Sequence, residues 1–261
     1  MDKLFDVTIE RFIVAPGGAS IQCRIDSPAN LCENAALVLS LGAGVEQTLG
    51  DEDFRVPILP VLEAGHRVIS FDLPCHGDRV DEFGLGITGF NNMYEHGIDV
   101  FSQVTDECKA VLDAVIEKRM AKAGNIGILG TSRGGYIALR AFAADARIKC
   151  ASCICPVTGW EYLSEFSANK DKEEVLNLRL DNFAHKMVGR AVHLAIGGHD
   201  DRVSTESCLR FYLRLCDENE KKGYSNEGCT LVVTEDKGHN LIPSQVTRCG
   251  EILLENLTAK V

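Results

Sequence analysis

Six short runs, "AALVLSLGAG" (35–44), "HRVISFD" (66–72), "NIGILG" (125–130), "IKCASCIC" (148–155), "AVHLAIGG" (191–198) and "CTLVVTED" (229–236), limit what this chain can fold into. Each is nearly continuous in apolar residues and ends at Gly, Asp or Pro. A strand with one wet face alternates polar and apolar side chains, so unbroken apolar runs of this length mark strands buried on both faces. Helical patterns fall between most of them, at about 53–64, 98–122, 133–145, 173–187 and 204–222, with 243–258 closing the chain. Alternation of this kind predicts an α/β fold with a mostly parallel twisted sheet and helices on both faces. Two further segments, "FDVTIERFIV" (5–14) and "SIQCRID" (20–26), flank "APGGA" and predict an N-terminal antiparallel hairpin, bringing the sheet to about eight strands.

Two connections exceed what a simple crossover needs. The segments 78–97 and 156–189, the second holding the only Trp, are the insertions most able to shape or lid a pocket. No shift of composition marks a linker, so residues 1–261 are expected to form one domain. The chain carries 27 basic and 38 acidic residues, a net charge of −11, with no basic patch, which argues against nucleic-acid or anionic-membrane partners. No apolar stretch approaches the ~20 residues of a membrane span, and the opening "MDKLFDVTIERF" lacks the apolar core of a secretory leader, so a cytoplasmic protein is expected. The 11 cysteines are odd in number and scattered, which favours reduced thiols over a disulfide framework. The tight cluster Cys150, Cys153 and Cys155 lies in an apolar run with no histidine nearby and is expected to be buried rather than metal-ligating.

The chemistry concentrates in "NIGILGTSRGGYIALRAFA" (125–143), where Gly130, Ser132, Gly134 and Gly135 stand between an expected strand and an expected helix. Gly-x-Ser-x-Gly in that context is the nucleophile elbow, a sharp strained turn that lifts the serine Oγ above the sheet edge. The spacing fits neither a phosphate-binding loop nor a dinucleotide fingerprint. A serine needs a base, and the base an orienting acid. Asp200, in the spacing Gly197-x-x-Asp200-x-x-Val203, and His239, behind Gly238, each follow an expected strand at the sheet's carboxyl edge, where such folds build their sites. Asp201 competes with Asp200, and Asp236 is expected to be a solvated turn residue. His66, His185 and His193 are expected to be structural or superficial and His199, on the same turn as Asp200, to point elsewhere, whereas His76 and His96 lie on loops that could reach a pocket.

From about residue 35 onward the chain resembles the α/β-hydrolase superfamily, most closely its esterase and peptidase-like branch around dienelactone hydrolases and prolyl-oligopeptidase-type catalytic domains. "FDLPCHGDR" (71–79) resembles the family's fourth-strand exit. Unlike dienelactone hydrolases proper, which use Cys, the elbow carries Ser. The resemblance implies the α/β-hydrolase fold and a triad of Ser132 as nucleophile, His239 as base and then acid, and Asp200 as orienting acid. It implies an oxyanion hole from the Arg133 amide and a second amide after "ALVLSL", expected at Ala43 or else Gly44. Many relatives have His-Gly there, where this chain reads Leu41-Gly42.

The Arg133 side chain could pair with Asp72 or Asp78, or bind an anionic substrate group. Trp160, with Tyr162 and Phe166, lines a pocket or forms a lid's own core. The reading is a serine hydrolase of a small or medium carboxylic ester, with no metal or organic cofactor. A peptidase or thioesterase with the same triad is the alternative, disfavoured because no long N-terminal domain and no acidic pair for a peptide amine stand out. A non-catalytic binding protein with an idle triad is the alternative of another class.

Overall fold

The computed structural model describes residues 6–259; Phe5, where the first expected strand begins, lies outside them. Strand β1 (Val7–Val14) pairs antiparallel with β2 (Ile21–Pro28), and β2 pairs antiparallel with β4 (Arg67–Phe71). From there β3 (Leu37–Leu41), β5 (Ile126–Thr131), β6 (Ile148–Ile154), β7 (Ala191–His199) and β8 (Cys229–Lys237) extend the sheet in parallel. The order β1-β2-β4-β3-β5-β6-β7-β8 reverses direction at β3, so the carboxyl ends of β3 and β5 flank the crevice where α/β sheets bind ligands.

The doubly buried strands divide their side chains between two cores. Leu37, Leu39, Leu41, Ile126 and Ile128 join the larger core with α5 (Val100–Glu117) and α6 (Arg133–Ala144). Val38 and Leu129 point the other way, into a core with α1 (Val45–Gly50), α3 (Leu59–Glu63) and the closing helix α9 (Pro243–Thr258), while the short α2 (Glu52–Arg55) buries none of its residues. Helix α8 (Thr205–Lys221) packs on β7 and β8. All 11 cysteines are free thiols and nine of them are buried, Cys150, Cys153 and Cys155 included.

Three helical expectations change. The run 53–64 is not one helix: Pro57 and Pro60 cannot donate, and the chain turns through Val56–Ile58 between α2 and α3. The run 173–187 breaks into α7 (Glu173–Leu176) and a tighter turn over Leu180–Lys186, where the Asn182 side chain takes the Asn177 carbonyl at 3.1 Å in competition with the backbone. The expected loop 78–97 contains the helix α4 (Gly86–Glu95). The insertions 78–97 and 156–189 bind each other: Asn169 Nδ2 donates to Asn91 Oδ1 at 2.9 Å and to Glu95 Oε1 at 2.8 Å.

Candidate active site

Ser132 lies between β5 and α6 with φ 56° and ψ −121°, outside the regions an L-residue ordinarily adopts. Its neighbours must be glycines for steric reasons. A Cβ on Gly130 would sit 2.5 Å from the Gly134 carbonyl oxygen, one on Gly134 would run into the Leu41 carbonyl of β3, and one on Gly135 would lie 2.8 Å from Pro156 Cβ. The turn is held by its backbone: Ser132 N–H donates to the Ile154 carbonyl at 2.9 Å, and the Ser132 carbonyl accepts from Gly135 and Val157, each at 3.0 Å.

Three side chains distant in sequence meet there. His239 Nε2 is 2.8 Å from Ser132 Oγ, and its Nδ1 is 2.8 Å from Asp200 Oδ2. Asp200 is buried, and its second oxygen accepts the amides of Arg202 at 3.0 Å and Val203 at 3.2 Å. That turn explains the Gly-x-x-Asp-x-x-Val spacing: the carboxylate ties down the loop that follows it. Asp201 is exposed and outside the arrangement, and Asp236 accepts from Thr234 Oγ1 at 2.6 Å.

A cleft of about 550 Å³ opens over these groups, its walls drawn from Gly42, Asp53, Phe54, Val56 and Pro57 and from Asn240, Leu241, Pro243 and Val246. Thr131, Ser132, Arg133, Ile154, Cys155 and His239 line it as well. The walls are the Pro-broken segment and the start of α9. Neither insertion 78–97 nor 156–189 contributes to this lining, against the expectation that they would shape the pocket.

Four expected site residues stand elsewhere. Ala43 is buried, and its N–H donates to Thr48 Oγ1 at 3.2 Å, so the loop itself engages the amide expected to face an oxyanion. Gly44 caps α1 and packs against Asp72 and Gly77. His76 is buried, with Nδ1 2.7 Å from the Pro74 carbonyl; burial, reinforced by the nearby Arg133 charge, holds its ring down to about 4. Trp160 is fully buried, with ring centroids 4.8 Å from Phe101, 5.1 Å from Tyr136, 5.3 Å from Phe166 and 5.7 Å from Phe90: it packs in the core between the insertions and helices α5 and α6. His96 bonds the Asn92 carbonyl at 2.8 Å and is also outside the cleft.

Cys155 is the site residue that sequence reasoning missed; its one signal was its place at a carboxyl strand end. It adopts φ 42°, lines the cleft, and brings its sulfur within 4.8 Å of donor atoms of Asp200 and His239. Those three are the described residues best arranged to hold a metal ion. However, Asp200 and His239 already bond each other, and burial, followed by the Asp200 charge, pushes the Cys155 thiol up to about 12, so it is protonated at neutral pH. Arg133 also lines the cleft, with its Nε buried and without an acceptor. Burial, then the charge of Arg202, draws its guanidinium down to about 10, still a cation, with Glu165 opposing the shift.

The sheet order and the serine turn at its switch point define an α/β-hydrolase fold. Residues 42–245 match the alpha/beta hydrolase family, and the chain belongs to that family. No curated protein matches the sequence. Among solved structures, a cold-adapted esterase from an Arctic intertidal metagenomic library is similar at 22% identity and a TM-score of 0.71, covering 100% of this chain and 97% of that one. A prolyl endopeptidase is similar at 18% identity and 0.69, covering 97% of this chain and 39% of the endopeptidase. The acylaminoacyl peptidase of Pyrococcus horikoshii is similar at 16% identity and 0.71, covering 97% of this chain and 41% of the peptidase. Among the described residues no helix is long and apolar enough to cross a membrane.

Proposed function

We propose that the protein is a serine hydrolase that cleaves a small or medium carboxylic ester through an acyl-enzyme. The observation that carries this reading is the single imidazole bridging Ser132 Oγ and Asp200 Oδ2 at 2.8 Å on each side. The Nδ1–H donates to Asp200, which leaves Nε2 unprotonated and able to accept the serine proton. As Ser132 Oγ bonds to the ester carbon, its proton passes to His239 Nε2. The tetrahedral oxyanion then collapses, and His239 returns the proton to the departing alcohol. Water repeats the sequence on the acyl-enzyme and frees the acid.

The oxyanion is met by the Arg133 amide, the first of α6, where helix N–H groups have no intrahelical acceptor. With Ala43 engaged by Thr48, the second donor from that loop falls to Gly42, its one residue on the cleft wall. Likeness to peptidases makes amide cleavage the second reading. Labelling by a fluorophosphonate probe, lost in Ser132→Ala, followed by matched ester, thioester and aminoacyl-amide substrates, tests both. Absence of labelling in the wild type removes the hydrolase reading and favours a binding protein with an idle triad.

A further inference from the structure

Most arginines of this protein that are drawn in from solvent have found an acid. Arg24, Arg79, Arg147, Arg179 and Arg202 each bond a carboxylate. Arg55 and Arg133 have no side-chain hydrogen bond or ion pair among the described residues and each has a buried Nε, but it is Arg133 that stands next to the nucleophile and lines the cleft.

Three acids that could have served it are committed. Glu165 gives one oxygen to each terminal nitrogen of Arg202, at 2.6 and 2.7 Å. Asp72 accepts the amides of Val45 at 2.6 Å and Asp78 at 3.0 Å. Asp200 serves His239 and two amides. Asp53, the one carboxylate among the described residues lining the cleft, is exposed on α2, and Asp78 is exposed too; neither makes an ion pair with Arg133. His76 lies near Arg133 but offers no negative charge. A guanidinium partly withdrawn from water with no bonded counter-charge is less stable than a paired one, so a fold tolerates one where a ligand completes it. The planar fork of Arg matches a carboxylate with two parallel hydrogen bonds.

We infer that Arg133 is the anion-binding residue of the cleft and that the preferred substrates are esters carrying a free carboxylate, such as half-esters of short dicarboxylic acids. The inference rests on the hydrolase reading above and deepens it. The carboxylate docks on the terminal nitrogens of Arg133 while the ester carbonyl lies at Ser132 Oγ, one residue away along the chain. The site thus selects for negative charge in a protein whose net charge of −11 would otherwise repel it.

Turnover of monoethyl glutarate and of ethyl pentanoate, which share a five-carbon acyl chain and differ in one carboxylate, tests this by pH-stat. The wild type is expected to favour the half-ester in kcat/KM by about 10-fold or more, mainly through KM, as a charge-assisted pair implies. In Arg133→Met that ratio falls by roughly 10- to 100-fold, Arg133→Lys retains part of it, and the Met variant melts no lower than wild type. A further measurement needs no variant: glutarate should protect Ser132 from the fluorophosphonate probe, and pentanamide should not. Equal turnover of both esters, a ratio untouched by Arg133→Met, or equal protection by both ligands overturns the anion site and leaves the hydrolase standing. A wild type that neither labels nor turns over any ester overturns both.

Discussion

Replacing Asp200 by Asn tests the relay at its most constrained atom. Oδ1 accepts two backbone amides, Arg202 at 3.0 Å and Val203 at 3.2 Å, so the position it occupies admits only an oxygen. An Asn side chain must therefore keep its carbonyl there and turn its NH2 toward His239 Nδ1, now 2.8 Å from Oδ2. Nδ1 then has to accept, the ring proton moves to Nε2, and the atom 2.8 Å from Ser132 Oγ is no longer a base. Loss of the correct tautomer in a serine triad costs about 10⁴-fold in kcat, or about 5 kcal/mol of barrier. The rate of Ser132 phosphonylation and kcat on an ester should both fall by about that factor, while the urea midpoint of Asp200→Asn barely moves. Asp200→Ala is the contrasting case. It leaves both amides buried without an acceptor, at about 1–3 kcal/mol each, so it should lose stability as well as rate. If Asp200→Asn keeps the wild-type rate to within about tenfold, the relay assignment is wrong.

Gly134→Ala forces a methyl into the Leu41 carbonyl and should lower stability by about 2–3 kcal/mol in urea titrations while slowing probe labelling; an unperturbed variant would show that the elbow has slack. Thr48→Val, nearly isosteric, strips the acceptor from the buried Ala43 amide, and a loss of about 1–3 kcal/mol is expected by the same titration. His76 and His193 are both held down to about 4 by burial against the ordinary 6.5, so the unfolded chain binds more protons between those values. Their contribution is therefore complete above pH 6.5 and lost as pH falls toward 4, by up to about 3 kcal/mol for each ring, and a urea midpoint that stays flat over that window would contradict it.

What the sequence disclosed were properties that a short segment carries by itself. A strand buried on both faces must be apolar throughout, which is why β3 to β7 were legible as unbroken runs; β8, expected to be the same, is an edge strand with only Cys229 fully buried. The elbow was legible because Gly130, Gly134 and Gly135 answer to contacts with atoms a few residues away or on the adjoining strands. Asp200 could be separated from Asp201 because the turn that uses its carboxylate also fixes the spacing to Val203. The cleft walls lacked any such signature. Val56 and Pro57 line one cleft with Leu241 and Val246 only because α3 and the turn before it pack against α9, and nothing local distinguishes those residues from other surface turns. Trp160 was ambiguous for the same reason: an aromatic in an insertion serves a pocket or a core according to what meets it, and Phe90, Phe101 and Phe166 meet it. Ala43 misled because the hydroxyl that captures its amide belongs to α1, a helix capped by Gly44 with no side-chain signal of its start.

Arg133 shows what adding coordinates to a sequence can decide. Its chemistry admitted an internal ion pair or a ligand, and no feature of residues 125–143 chooses between them. The choice depends on how every acid within reach is already employed, which is a global property of the fold. Glu165 is taken by Arg202, Asp72 by two amides, and Asp200 by His239, while Asp53 and Asp78 stay exposed without an ion pair to Arg133, so no internal pair forms. Strengthening one of those competing contacts would leave Arg133 as it is, but releasing one would supply the missing acid from within. Arg202→Ala frees Glu165 to turn toward Arg133. If Arg133 binds the substrate's carboxylate, that variant should lose its preference for the half-ester as Arg133→Met does, with the arginine itself still in place.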